Sequence, residues 1–127
     1  MPKLFFAIVF ILTVFTTNAQ YVSHYTLDTK HKADTLFDKL TSTKFILDTS
    51  RILIVAIDAN GKQLWKSDPW EDNKLEAYRV TRPIIARFHF ANNQWTDNKE
   101  VIWIVYNNTQ FGIVDKKTGK FTWFGQD

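Results

Sequence analysis

The sequence predicts an α+β fold that is mostly β: one amino-terminal helix packed on a curved antiparallel meander of about six to eight strands. Three observations predict it. Short apolar runs recur from Lys44 to Gly125, each bounded by turn residues. The links between them are mostly short, which favours antiparallel neighbours. Helical periodicity appears once, near the amino terminus. The alternative is an all-β sandwich or small barrel with the helix as a lid.

The chain opens on a short basic stretch, "MPK", followed by the apolar run Leu4–Phe15 and then "TTNAQ". Small residues at Thr17 and Ala19 complete the three-part pattern of a secretory signal peptide, with cleavage expected between Ala19 and Gln20. The apolar run has 12 residues, against the roughly 20 that a bilayer span takes. An uncleaved membrane anchor is the competing reading. Removal of residues 1–19 leaves a single domain, residues 20–127, with no stable membrane span. Lys3 is the only charged residue in the segment, so the formal charge falls from +3 to +2 on cleavage. So mild a balance does not indicate a nucleic-acid partner, which calls for a basic stripe. The chain has no cysteine. Small exported animal domains lean on disulfides, so its absence favours a bacterial periplasmic or secreted protein.

The elements follow in order. "VSHYTLD" (22–28) reads as a short first strand. In "TKHKADTLFDKLTST", Ala33, Leu36, Phe37 and Leu40 fall at i, i+3, i+4 and i+7, one face of a helix capped by Asp28 or Thr29. "KFILD" and "RILIVAID" read as strands, and "KQLWKS" follows an Asn60–Gly61 turn. "LEAYRV" and "PIIARFHFA" read as a pair flanking Arg82–Pro83, and "ANNQWTDNK" as an exposed loop. "EVIWIVYN", "QFGIVD" and "KFTWFG" complete the set. In "PIIARFHFA", Ile84, Ala86, Phe88 and Phe90 alternate with Ile85, Arg87 and His89. "ILIVAI" and "VIWIVY" do not alternate. Strands apolar on both sides need cover above and below, from a second layer, sheet curvature or a partner.

One phrase occurs twice. "AIDANGKQLW" and "IVDKKTGKFTW" each run from an Asp through a turn ending Gly-Lys, with a Trp four residues past the Gly. The phrase resembles the hairpin of a quinoprotein-type β-propeller blade, in which Asp, then Thr-Gly, then Trp recur. The likeness covers about a sixth of the chain. A propeller needs at least four blades of about 40 residues, more than this chain supplies. The repetition is therefore read as one hairpin solution used twice, with Trp65 and Trp123 at equal depth and no quinone or metal site carried over.

Motifs for chemistry are sparse. His24, His31 and His89 are scattered, without zinc-ligand spacing. There is no Gly-x-Ser-x-Gly and no thiol nucleophile. "DPWEDN" gathers Asp68, Glu71 and Asp72 in spacing that fits no calcium loop. No cofactor is expected. Aromatic residues make up 16% of the chain, which fits either a core of large side chains or a platform for sugar rings. Arg79, Arg82, Arg87 and His89 fall on neighbouring segments, where clustered guanidinium groups suit an acidic glycan or another anion. Salt bridges to Glu71, Asp72 or Glu76 are the alternative. The expected function is an exported, non-catalytic interaction domain that meets a protein partner or a second copy. The alternative is a small-molecule or acidic-glycan binder using Trp70, Arg79, Arg87 and His89. A small hydrolase or isomerase is a third reading.

Overall fold

The computed structural model describes residues 31–127. The expected leader, the expected cleavage between Ala19 and Gln20, the strand expected at 22–28 and the expected helix cap at 28–29 lie outside the described residues. Among the described residues, eight strands form two four-stranded antiparallel sheets, each in sequential order. The first sheet holds β1 (Asp34–Asp38), β2 (Thr43–Leu47), β3 (Ile54–Ile57) and β4 (Gln63–Ser67). The second holds β5 (Ile85–Ala91), β6 (Val101–Tyr106), β7 (Phe111–Val114) and β8 (Phe121–Gly125). Between the sheets lies one short helix, α1 (Pro69–Asp72), and a 3-10 turn at Gln94–Thr96 precedes β6. Among the described residues, no helix is long and apolar enough to cross a membrane.

The described part of the expected helix is instead β1 and the turn after it. Leu36 lies opposite Phe45 and joins the core, whereas Phe37 is 49% exposed and Leu40 93% exposed. The burial follows the period of a strand, and pairing with β2 overrides a helical spacing that spans only eight residues. "LEAYRV" forms no strand either. Arg79 takes a left-handed conformation (φ 59°), so only the isolated bridge Tyr78–Val80 survives. In β5 the pairing shifts between Ile85 and Arg87. This bulge turns Ile85 into the core beside Phe88 and leaves Ala86 exposed, reversing the expected sides of both.

The two-sided strands β3 and β6 are interior strands of their sheets. One face of each sheet meets the other in a shared core. Phe45, Leu47, Ile54 and Ala56 come from the first sheet; Phe88, Ile102, Ile104, Val114 and Phe121 come from the second. Phe45 and Phe90 touch edge to face across it at 5.9 Å. The second layer foreseen for the two-sided strands is therefore the other sheet.

The registers repeat. Lys44–Ile57 and Leu47–Ile54 in the first sheet match Ile102–Val114 and Val105–Phe111 in the second. Asp34–Leu47 and Asp38–Thr43 match Arg87–Val105 and Ala91–Val101. Ile57–Gln63 and Ile54–Ser67 match Val114–Phe121 and Phe111–Gly125, and each final hairpin contains one bulge. The repeated phrase is thus the last hairpin of two equivalent sheets. Asp58 Oδ1 accepts from the N–H groups of Asn60 and Lys62, both at 2.9 Å. Asp115 Oδ1 accepts likewise from Lys117 at 2.8 Å and Thr118 at 3.0 Å. Gly61 and Gly119 supply the positive φ that each turn needs, 83° and 73°.

The two sheets meet through opposite faces. Ile54 and Ala56 are the buried side of β3, and their counterparts Phe111 and Ile113 are the outer side of β7. Gly112 and Val114 are buried in β7, and their counterparts Val55 and Ile57 face outward on β3.

Candidate functional site

The outer face of the second sheet is aromatic. The Trp103 ring lies 5.7 Å from Phe111 and 5.8 Å from Phe124, centre to centre. Trp95 completes the wall of an open cleft of about 500 Å³ lined by Trp95, Trp103, Phe111 and Phe124. Trp95 is 69% exposed and held from below by its backbone: Asn93 Oδ1 accepts from the Trp95 N–H at 2.8 Å. Buried Thr96 closes the same turn, its hydroxyl accepting from the Asn93 N–H at 3.0 Å and donating to the Lys99 carbonyl at 2.8 Å. A rigid turn therefore presents a large apolar ring to solvent.

Phe124 reaches this cleft because of the bulge in β8. In β4 the extra residue is Leu64, so Trp65 falls opposite Ala56 on the buried side. In β8 the extra residue is Phe124, so Trp123 falls opposite Gly112, on the other face. The two Trp share a sequence spacing but not a structural position. Phe124 on Trp103 instead mirrors Trp65 on Phe45, the latter pair also 5.8 Å apart.

The residues singled out from the sequence separate into three places. Trp70 sits on α1 under the Arg82 guanidinium, 4.8 Å from its ring centre. Arg82 pairs with Asp68, the residue capping α1, and not with Glu71, Asp72 or Glu76. Arg79 lies over the Tyr78 ring at 5.0 Å. Arg87 and His89 stand exposed on the outer face of β5, with His89 directly opposite Trp103 in the register. Sequence reasoning missed Trp95, Trp103, Phe111 and Phe124 as a group. Trp103, Phe111 and their partners Val105 and Ile113 do alternate with buried residues, but the bulge that delivers Phe124 leaves no sequence signal.

A second cleft, also about 500 Å³, opens where β1, β4 and the Asp115–Lys120 turn converge, lined by Asp38, Thr43, Asp58, Leu64, Lys116 and Lys117 among others. Lys116 Nζ donates to Asp38 at 2.8 Å and to Glu100 at 3.0 Å. The Lys116 hydrogen bond holds the buried Asp38 carboxyl below its usual range, outweighing burial, and the Leu40 N–H assists. Burial alone would lower the Lys116 pKa; the bonds to both carboxylates reverse this and raise it. Buried Tyr106 is pushed up, chiefly by burial and then by nearby Asp68. Such groups anchor structure. Among the described residues, no three His, Cys, Asp or Glu side chains are placed to hold a metal ion.

No protein-family model, curated protein or solved structure matches the chain.

Proposed function

We propose that the chain is an exported, non-catalytic interaction module whose working surface is the outer face of the second sheet. The observation that carries this reading is the cleft of Trp95, Trp103, Phe111 and Phe124, aromatic on every side and built on a rigid sheet. Exposed aromatic side chains held in place are what anchor protein contacts. Export is supported by the sequence pattern of residues 1–20. A photo-crosslinking phenylalanine analogue at position 95, introduced in producing cells, tests the surface. Illumination is expected to give a covalent adduct with a protein, and none when the analogue replaces exposed Glu71. Absence of an adduct at position 95 overturns the reading.

A small anionic ligand, such as an acidic glycan, is the second reading. It is favoured by Arg87 and His89, exposed on the same face as Trp103. A ligand at a hundred times its Kd adds about 2.7 kcal/mol to stability. Acidic sugars should then raise the melting midpoint by roughly 10 degrees, and Arg87→Ala should abolish the rise while leaving the midpoint of the free protein unchanged.

A further inference from the structure

We infer that the outer face of the second sheet takes the outer face of the first sheet of another copy, so that copies stack head to tail and close a ring. This inference rests on the interaction-module reading and names its partner as a second copy of this chain.

The geometry comes from the internal repeat. Two equivalent sheets joined through opposite faces make a heterologous contact, and such a contact always leaves one unused face of each kind. On the first sheet the unused face carries Phe37, Lys44, Ile46, Val55 and Ile57, the counterparts of Phe90, Ile102, Ile104, Gly112 and Val114. On the second sheet it carries His89, Trp103, Val105, Phe111 and Ile113, the counterparts of Leu36, Phe45, Leu47, Ile54 and Ala56. None of the residues on either unused face belongs to the shared core among the described residues. Stacking the second face on the first repeats the contact the molecule already makes within itself. The surface is a continuation of an interface already formed.

Two local features fit the same operation. The Gly119 turn is covered by Trp65: a Cβ at Gly119 would lie 2.6 Å from the Trp65 ring. At the equivalent Gly61 turn, nothing among the described residues lies within 4 Å of such an atom. Phe124, whose contact with Trp103 resembles that of Trp65 with Phe45, would cover the Gly61 turn of the next copy. The clefts repeat as well. Thr43, Asp58 and Leu64 share theirs with Lys116 and Lys117 of the opposite sheet. Val101 and Asp115, the counterparts of Thr43 and Asp58, line with Thr122 a smaller cleft of about 310 Å³ that holds no residue of the first sheet. Lys44 and Lys66, exposed on the first sheet's outer face, bring cations towards the aromatic face they would meet. Closed rings of four-stranded sheets hold about four to eight of them, which corresponds to two to four copies.

Light scattering on the purified full chain, with Ile57→Glu and Ile113→Glu made separately, tests the arrangement. Ile57→Glu blocks only the first face and Ile113→Glu only the second. The unaltered chain is expected to assemble as two to four copies, and each variant to be monomeric with an unchanged circular dichroism spectrum. Mixing the two variants is expected to restore a 1:1 dimer, because each keeps the face the other needs. A misfolded variant would not be rescued this way. A monomeric unaltered chain, assembly that survives either substitution, or a mixture that stays monomeric overturns the inference. The adduct at position 95 separates this failure from that of the underlying reading. An adduct with a different protein leaves the surface standing and removes the ring; no adduct removes both.

Discussion

The indole N–H of Trp65 donates to the carbonyl of Lys116 across 2.9 Å, and the same ring lies against Gly119. One side chain of the first sheet thereby caps the last turn of the second.

Gly119 and Gly61 should respond differently to the same change. Both have positive φ, so alanine strains each by about 1 kcal/mol. At Gly119 the new methyl also meets the Trp65 ring, adding about 1–3 kcal/mol of overpacking. Urea titration of Gly61→Ala and Gly119→Ala should show the second losing clearly more stability.

Lys116→Met should destabilise the protein by about 2 kcal/mol. The substitution leaves the Asp38 carboxylate, 5% exposed, without its cation. The cost falls below the roughly 3–5 kcal/mol of a fully buried pair because Lys116 is partly open to water. Asp38→Asn in the Lys116→Met background should recover part of the loss.

Stability should fall at both ends of the pH scale. Asp38 has a lowered pKa, chiefly through Lys116; Asp48 and Asp115 are lowered too, because hydrogen bonds outweigh the burial that would raise them. Their contribution is present above the unfolded carboxylate value near 3.9 and is lost as pH falls through the folded values. Lys116 has a raised pKa, so its contribution is complete below about pH 10.4 and is lost as pH rises through the folded value. Melting midpoints measured from pH 2 to 11 should form a plateau across neutrality with both flanks falling, and Lys116→Met should flatten the alkaline flank.

Arg51, in the link between β2 and β3, ties the first sheet to the start of β5. Its Nε donates to the Ile85 carbonyl at 2.6 Å, and its own carbonyl accepts from the Ile85 N–H at 2.9 Å. Arg51→Met keeps the backbone bond and removes the side-chain bonds to the carbonyls of Ile85, Lys32 and Ala86, at a cost of about 1–3 kcal/mol by chemical denaturation.

Much of the fold was legible because seven of the eight strands announce themselves by apolar runs between turns. β3, β4, β5, β6, β7 and β8 fall within runs read from the sequence, and β2 begins one residue before its run, at Thr43. β1 was not legible. Ala33, Leu36, Phe37 and Leu40 satisfy a helical spacing over eight residues, and only pairing with Phe45 and Lys44 decides for a strand. Bulges were equally invisible. Ala86, Leu64 and Phe124 are ordinary residues whose extra place in a strand is set by the partner strand, yet each changes which side chains face the core. The aromatic cleft depends on one of them, so its residues were visible singly and not as a group. Arg87 and His89 were rightly placed opposite Phe88 and Phe90, because period-two alternation holds beyond the bulge.

The bulges carry a further consequence for the sheet borders. Among the described residues, β1, β4, β5 and β8 are the border strands of the two sheets. Three of these four borders, β4, β5 and β8, are interrupted by a bulge, which spoils the regular spacing that a foreign strand would need to add on. The fourth, β1, begins and ends in aspartate at Asp34 and Asp38, and a charged margin resists the stacking of like strands. The described borders are thus guarded against fibril growth.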